Sequence, residues 1–111
     1  MKLALKEAKK AYKLKEIPVG AVIVKNNKVL SLGFNKRENK QNALAHAEIV
    51  AINLACKKLK SWRILNSTIY VTLEPCIMCS GAILDSKINR IGNKVEDMDE
   101  AYILFYTRKD V

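Results

Sequence analysis

Three metal-binding side chains constrain this chain more than any other feature of its sequence. His46 is the single histidine, and thirty residues later Pro75 introduces the pair Cys76 and Cys79. One imidazole and two thiolates supply three ligands for a tetrahedral Zn²⁺ and leave its fourth position open, which is typical of catalytic rather than structural zinc. The pattern therefore predicts one zinc site with His46, Cys76 and Cys79 as ligands.

Glu48 follows the histidine by two positions and has no place in this ligand set. A carboxylate beside a catalytic zinc suits proton transfer, so Glu48 is the predicted catalytic residue. Two other interpretations stay open: a structural zinc site, and a redox Cys-x-x-Cys pair beside an incidental histidine. The third cysteine, Cys56, lies in a predicted helix and is interpreted as a small buried residue, so the sequence offers no four-cysteine set.

The composition places these motifs in a small folded protein. The chain has 111 residues, of which 50% are hydrophobic and only 2 are proline, so we expect a single domain over residues 1–111 without disorder. The apolar run Val19–Val24 is too short to cross a membrane, and the lysine-rich N-terminus does not resemble a signal peptide. Because the thiols are committed to a metal, we expect a reducing, cytoplasmic location.

Positive charge is spread over most of the chain. The formal net charge is +9, with +11 in residues 1–90 and −2 in residues 91–111. A basic surface favours a polyanionic partner, most simply a nucleic acid, because binding releases counterions from the phosphates. The alternative is that the many lysines are ordinary solvated surface residues, and charge alone does not distinguish the two.

Hydrophobic periodicity and turn residues predict alternating helices and strands. An amphipathic helix is expected from Met1 to about Lys15, with Leu5, Ala8 and Tyr12 on its apolar face. The residues at 26 and 27, both asparagine, predict a tight turn between two strands. The other predictions are strands at 20–25, 28–34, 68–73 and 101–106, a loop at 36–42, and helices at 43–58 and 76–85, the last with proline 75 at its start. This alternation indicates an α/β layered fold.

Four motifs give the sequence a specific resemblance. In chain order they are PVGAV with Val19, GFN with Asn35, AHAEI with His46, and TLEPCIMCSGA with the two cysteines. Together they resemble the tRNA-specific adenosine deaminases of the cytidine-deaminase superfamily. The resemblance implies a three-layer αβα sandwich with a mixed central sheet, usually as a homodimer. It also implies hydrolytic conversion of adenosine to inosine at the anticodon wobble position, with the tRNA anticodon arm as partner.

The resemblance assigns the same three zinc ligands and the same proton-transferring glutamate. It adds four substrate-binding residues, Asn35 against the flipped base and three that line the pocket, Val19, Ala47 and Pro75. Two alternatives remain. One is a deaminase of a free base or nucleoside such as guanine, cytosine or cytidine. The other is a non-catalytic, zinc-stabilised protein that binds RNA or a partner subunit.

Residues 91–111 depart from the pattern of that family. The family continues after this point with apolar residues, a glycine- and serine-containing substrate loop and terminal helices, which help to hold RNA and close the pocket. Here an acidic stretch at 96–100 precedes the apolar segment 101–106. A shortened variant, a disrupted reading frame and a different deaminase branch would each produce this end of the sequence.

Overall fold

The computed structural model describes residues 2–73 and 75–92. Its elements, in chain order, are α1 (Lys2–Lys13), β1 (Gly20–Lys25), β2 (Lys28–Phe34), α2 (Arg37–Lys40), α3 (Ala47–Leu59), β3 (Ser67–Val71), α4 (Ile77–Asp85) and β4 (Arg90–Gly92). Within these two ranges, no helix has both the length and the apolar character needed to cross a membrane.

The strands of the described ranges form one mixed sheet in the order β2-β1-β3-β4. Strand β1 runs antiparallel to both β2 and β3, whereas β3 and β4 are parallel. Parallel neighbours need a crossover connection, and helix α4 provides it. The sheet is therefore mixed, as the sequence resemblance implied.

Strands β1 and β2 form the hairpin that the sequence predicted. Its turn residues Asn26 and Asn27 have φ values of 51° and 63°. Asparagine tolerates this left-handed region better than most residues, which explains why two asparagines mark the turn. At the other end of the hairpin, Gly20 pairs with Phe34.

Two glycines allow helices to approach opposite faces of the sheet. A Cβ atom on Gly20 would overlap the backbone oxygen of Ala4 in α1, and one on Gly33 would overlap the backbone oxygen of Ala47 in α3. Gly33 pairs with Ala21, the neighbour of Gly20, so the two glycines point to opposite faces. Helix α1 covers one face and α3 the other, which confirms the three-layer αβα sandwich.

The main core lies between the sheet and helix α3. Ile23, Ile69 and Val71 of the sheet are fully buried in it. The core side chains of α3 are mostly small: Ala47, Ala51, Ile52 and Ala55. Short side chains let α3 lie close to the strands, and this closeness fixes where the first turn of the helix is placed.

Helix α3 starts later than the sequence predicted. Its first residue is Ala47 rather than residue 43, because Asn42 makes a turn that the helix does not include. The Asn42 side-chain oxygen accepts the Leu44 N–H at 2.9 Å, and its backbone oxygen accepts the Ala45 N–H at 3.1 Å. Asparagine competes with helix formation in this way. The predicted loop 36–42 likewise contains the short helix α2.

The buried face of α1 also differs from the prediction. Tyr12 is 47% exposed, and the buried residues of the helix include Ala4, Leu5, Ala8 and Ala11. Small side chains are needed on this face because Gly20 brings the sheet into contact with the helix backbone. Strand β3 covers 67–71 instead of 68–73. The predicted strand 101–106 lies outside the described residues, and a single domain over residues 1–111 stays a prediction.

Candidate metal centre and its cavity

His46 occupies the N-cap position of α3, with extended backbone angles of φ −71° and ψ 154°. The sequence predicted it inside a longer helix, and the turn at Asn42 is the reason for the difference. Its backbone oxygen accepts the Val50 N–H at 2.9 Å, which fixes the residue at the start of the helix. The side chain makes no capping hydrogen bond, and its Nδ1 atom lies beside the two cysteine sulfurs.

Cys76 occupies the N-cap position of α4. Its sulfur accepts the Cys79 N–H at 3.5 Å and so takes the role that serine or aspartate usually has at this position. The helix begins at Ile77 rather than at residue 76 as predicted, and Pro75 therefore lies two residues before its first residue. The Cys-x-x-Cys spacing brings both sulfurs to the same end of α4.

The three donor atoms converge on one point. The His46 Nδ1 atom lies 3.8 Å from Cys76 Sγ and 3.5 Å from Cys79 Sγ, and all three atoms lie within 4.8 Å of one another. A tetrahedral zinc with Zn–N near ~2.0 Å and Zn–S near ~2.3 Å requires N···S separations of roughly 3.6 Å. The three side chains therefore fit one zinc ion in both spacing and donor chemistry.

The surroundings of Cys79 oppose its ionisation. Burial raises the pKa of this thiol well above its usual range, and the neighbouring Glu48 carboxylate and Cys76 raise it further. A helix N-terminus by itself lowers the pKa of a thiol, but at Cys79 the effect of burial is larger. A cation bound at this point would offset the free-energy cost of burying the thiolate. The geometry therefore suits a metal ligand better than a free nucleophilic or redox thiol.

Glu48 lies in the first turn of α3, two residues after His46. Its side chain is only 4% exposed and lines the same cavity as His46 and Cys76. Among residues 2–73 and 75–92, the donor group consists of His46, Cys76 and Cys79, without this glutamate. A buried carboxylate beside a metal position, but outside its ligand set, can exchange protons with a molecule in the cavity.

A cavity of about 130 Å³ opens beside the donor group. Its lining combines residues of the metal centre with apolar and polar walls: Ile17, Val19, Asn35, Arg37, His46, Ala47, Glu48, Leu73 and Cys76. Of the four residues that the resemblance assigned to substrate, Val19, Asn35 and Ala47 lie in this lining, whereas Pro75 does not. Their contact with a substrate stays a prediction.

Three residues of the lining were missed by sequence reasoning: Ile17, Arg37 and Leu73. Ile17 precedes the PVGAV motif and Leu73 belongs to TLEPC, so their positions in the motifs could have indicated them. Arg37 lies in the segment predicted as a loop. No periodicity there indicates the direction of a side chain, so the sequence held no signal for it.

Three hydrogen bonds hold Asn35. Its backbone N–H donates to the Val19 oxygen at 3.1 Å, its Nδ2 donates to the Ile17 oxygen at 3.4 Å, and its Oδ1 accepts the Arg37 N–H at 3.2 Å. A side-chain amide has two N–H donors and two acceptor lone pairs, so one of each is left over. Asn35 is therefore fixed in orientation and still has a donor and an acceptor for a planar polar ligand.

The fold and the donor group together define a class of protein. A His-x-Glu motif at the start of one helix and a Pro-Cys-x-x-Cys motif at the start of another are typical of zinc-dependent nucleobase deaminases. The chain belongs to the family of the cytidine and deoxycytidylate deaminase zinc-binding region, whose model matches residues 1–93. Zinc is the metal that this region binds.

Comparisons with known proteins agree with this assignment. The chain is 48% identical over 91 residues to the tRNA-specific adenosine deaminase of Bacillus subtilis (strain 168), which covers 82% of this chain and 56% of that relative. A solved structure from studies of A-to-I editing by tRNA:A34 deaminases at the wobble position of transfer RNA matches with a TM-score of 0.80 and 42% identity, over 82% of this chain and 70% of that one. Guanine deaminase from Bacillus subtilis matches with a TM-score of 0.79 and 30% identity, over 94% of this chain and 71% of that one. The chain spans about half the length of the curated relatives it matches.

Proposed function

We propose that this protein is a zinc-dependent deaminase that converts adenosine to inosine at the wobble position of a tRNA anticodon. The observation that carries the proposal is the convergence of a His/Cys/Cys donor group and a buried glutamate on one small cavity. The 48% identity to a tRNA-specific adenosine deaminase supports adenosine in tRNA as the substrate.

In this proposal His46, Cys76 and Cys79 hold the zinc ion. When bound, zinc lowers the pKa of a water molecule at its open position to near neutrality and so supplies a nucleophile. His46 and Cys76 border the cavity, and Cys79 is buried behind them. A base in the cavity would therefore lie beside the residues that would hold the zinc ion.

Glu48 acts as the proton shuttle. The reaction adds one water to C6 of adenine and releases one ammonia, so protons must move from the attacking water to the base and its departing amine. The Glu48 carboxylate accepts the first proton and delivers it to the adjacent ring nitrogen, and then carries the second to the amine. Its position in the cavity lining, beside the donor group, supports this role.

The cavity walls hold the base in this proposal. Val19 and Ala47 provide apolar contacts, and the unused donor and acceptor of Asn35 bind the polar edge of the ring. Pro75 does not line the cavity, so the proposed contacts with the base come from Val19, Ala47 and Asn35. A base in an anticodon loop is already unpaired, so extruding it costs less than the few kcal/mol needed in a duplex.

A free base such as guanine is the second candidate substrate. The observation that favours it is the TM-score of 0.79 with a guanine deaminase at 30% identity. The net charge of +9 favours RNA instead, because several lysines and arginines can neutralise phosphates. A non-catalytic role is disfavoured by Glu48, since a purely structural zinc site has no use for a buried carboxylate beside it.

The test uses the zinc-loaded full chain and an anticodon stem-loop with adenosine at the wobble position. Inosine is measured by mass spectrometry after nuclease digestion, with guanine, cytosine and cytidine assayed in parallel. We expect inosine from the wild type and not from Glu48→Ala, at a rate that falls steeply with salt. If the chain deaminates only guanine, at a rate that does not depend on salt, it is instead a deaminase of the free base. A zinc-loaded, folded chain that acts on none of these substrates would contradict the proposal.

We also propose that two copies of the chain form a homodimer. Helices α3 and α4 pack against each other and expose large apolar residues, among them Leu54, Ile77 and Leu84. The exposed fraction is 93% for Ile77 and 74% for Leu84. Exposed apolar residues on neighbouring helices favour association. In sedimentation analysis the wild type should be a dimer and Leu84→Glu a monomer, and a monomeric wild type would contradict the proposal.

The proposed location is the cytoplasm. Cys76 is exposed, and an oxidising compartment would join it to a neighbouring thiol such as Cys79 instead of leaving both for a metal. Cell fractionation with an antibody to the chain tests this, and recovery from an oxidising compartment would contradict it.

A further inference from the structure

A second buried carboxylate lies outside the metal centre. Glu16 is only 2% exposed, yet its carboxylate accepts three hydrogen bonds from the segment that follows β2. Oε1 accepts the Glu38 N–H at 3.0 Å, and Oε2 accepts the Asn39 N–H at 2.7 Å and Asn39 Nδ2 at 2.6 Å. Burial alone raises the pKa of Glu16, but these donors and the nearby Arg37 charge together lower it.

The donors belong to the first turn of helix α2. This helix has four residues, and its N-cap residue Lys36 makes no side-chain capping hydrogen bond. The N–H groups of the second and third helical residues are the ones that a capping side chain usually satisfies. Glu16 satisfies both from more than 20 residues away in the sequence. A helix this short does not persist without such support.

Glu16 also joins the two walls of the cavity. Ile17 and Val19 follow it in one wall, while Asn35 and Arg37 precede its hydrogen-bond donors in the other. Asn35 donates across the same gap to the backbone oxygens of Val19 and Ile17. Glu16 itself does not line the cavity, so it acts through these residues.

We propose that Glu16 is a positioning residue of the cavity, which caps α2 from the opposite wall and thereby sets the places of the Asn35 amide and the Arg37 guanidinium relative to the metal centre. The proposal rests on the proposed function for the kind of ligand that these groups meet. The link between the two walls is a property of the fold and can be measured without any substrate.

The first experiment measures amide hydrogen exchange by NMR in the zinc-loaded full chain. Glu16→Gln replaces one acceptor oxygen with an NH₂ group, which in either orientation faces at least one N–H donor of α2. Glu7→Gln is the matched control, because Glu7 is also buried but pairs with Lys10 at 2.7 Å. We expect the backbone N–H groups of Asn35 and Arg37 to exchange about tenfold faster or more in Glu16→Gln. The exchange rates of β1 and β3 should not change. Glu7→Gln should leave these two amides at wild-type rates.

The second experiment separates KM from kcat with whichever base the wild type deaminates. Glu16→Gln should raise KM by about tenfold and change kcat by less than about threefold, because it loosens groups that bind the base and not those that transfer protons. Glu16→Asp keeps the charge and should recover part of the loss. Zinc content should equal that of the wild type in every variant.

If the backbone N–H groups of Asn35 and Arg37 exchange in Glu16→Gln at the same rates as in the wild type, the proposal is overturned. Acceleration spread evenly over the whole sheet would also overturn it, because it would indicate a general loss of stability. If the wild type deaminates no substrate at all, the proposed function fails, and the exchange rates still decide whether Glu16 positions these residues.

Discussion

The Nδ1 atom of His46 lies 3.5 Å from the Sγ atom of Cys79, although 33 positions separate the two residues in the sequence. The contact exists because α3 and α4 pack on the same face of the sheet with their N-terminal ends together. Neither helix carries a complete donor group by itself. The metal centre therefore depends on how both helices are held against the strands.

Replacing Cys79 with serine should remove the metal. A neutral hydroxyl is a poor zinc ligand, and the two remaining ligands leave the ion weakly held. Metal analysis after dialysis should find about one zinc per wild-type chain and little in Cys79→Ser. Cys56→Ser is the matched control, because Cys56 is half-buried against the core and outside the donor group. Full zinc in Cys79→Ser would show that the ligand assignment is wrong.

Replacing Glu48 with glutamine should stop the reaction and leave the metal in place. Removing a positioned proton shuttle typically costs a factor of about 10²–10⁴ in rate. Single-turnover inosine formation and zinc content are measured on the same preparation. Zinc lost together with activity would mean that Glu48 supports the metal centre instead of transferring protons.

A methyl group on Gly33 should push α3 away from the sheet. The added Cβ would overlap the Ala47 oxygen and lie 2.8 Å from the Ala51 nitrogen. We expect Gly33→Ala to cost about 1–3 kcal/mol in the free energy of unfolding and to weaken zinc binding, because His46 occupies the N-cap position of this helix.

Gly81→Ala provides the control for that substitution. Gly81 lies inside α4, and among residues 2–73 and 75–92 no atom outside its own neighbourhood lies within 4 Å of an added Cβ. Alanine should therefore stabilise the chain by about 0.5–1 kcal/mol through helix propensity. Urea unfolding measures both variants, and equal effects would contradict the close approach of α3 at Gly33.

Acid should remove the stabilisation that Glu16 provides. Its pKa in the folded chain lies below the ordinary value of 4.5, so the unfolded chain binds more protons between the two values and stability rises with pH there. The contribution is complete above that ordinary value and is lost as pH falls through the folded pKa. Glu16→Gln does not titrate, so it should be less stable than the wild type near neutral pH and approach it in acid. Urea midpoints across the pH range measure this, and a constant difference would contradict it.

The His/Cys/Cys donor group and the hairpin were predictable because each depends on local chemistry. Histidine and cysteine are common zinc ligands and can be recognised in the sequence. The structure brings the donor atoms of His46, Cys76 and Cys79 together. Two asparagines marked the hairpin turn through their tolerance of positive φ. The predicted start of α3 was wrong. A hydrogen bond to the Asn42 side chain forms a turn there, where hydrophobic periodicity alone would extend the helix.

Glu16 and Arg37 show what the sequence did not indicate. Periodicity reports which face of an element is apolar, but not which distant N–H group meets a polar side chain. Glu16 meets Glu38 across 22 positions, and this contact holds the helix that carries Arg37 in the cavity lining. Tyr12 fitted the helical period, yet it is 47% exposed, and Ala4 and Ala8 face the point where Gly20 brings the sheet against the helix backbone.

The asparagine turn of the β1–β2 hairpin lies at the far end from the metal centre. The opposite end, at Gly20, adjoins Val19 and Asn35 in the cavity lining, whereas Asn26 and Asn27 close the other end. The six residues of β1, at about 3.4 Å each, separate the two ends by roughly 20 Å. A fluorophore, an affinity tag or a surface anchor placed between the two asparagines would therefore leave the cavity end open to the proposed RNA substrate. The hairpin gives the protein a natural attachment point for single-molecule and immobilised assays.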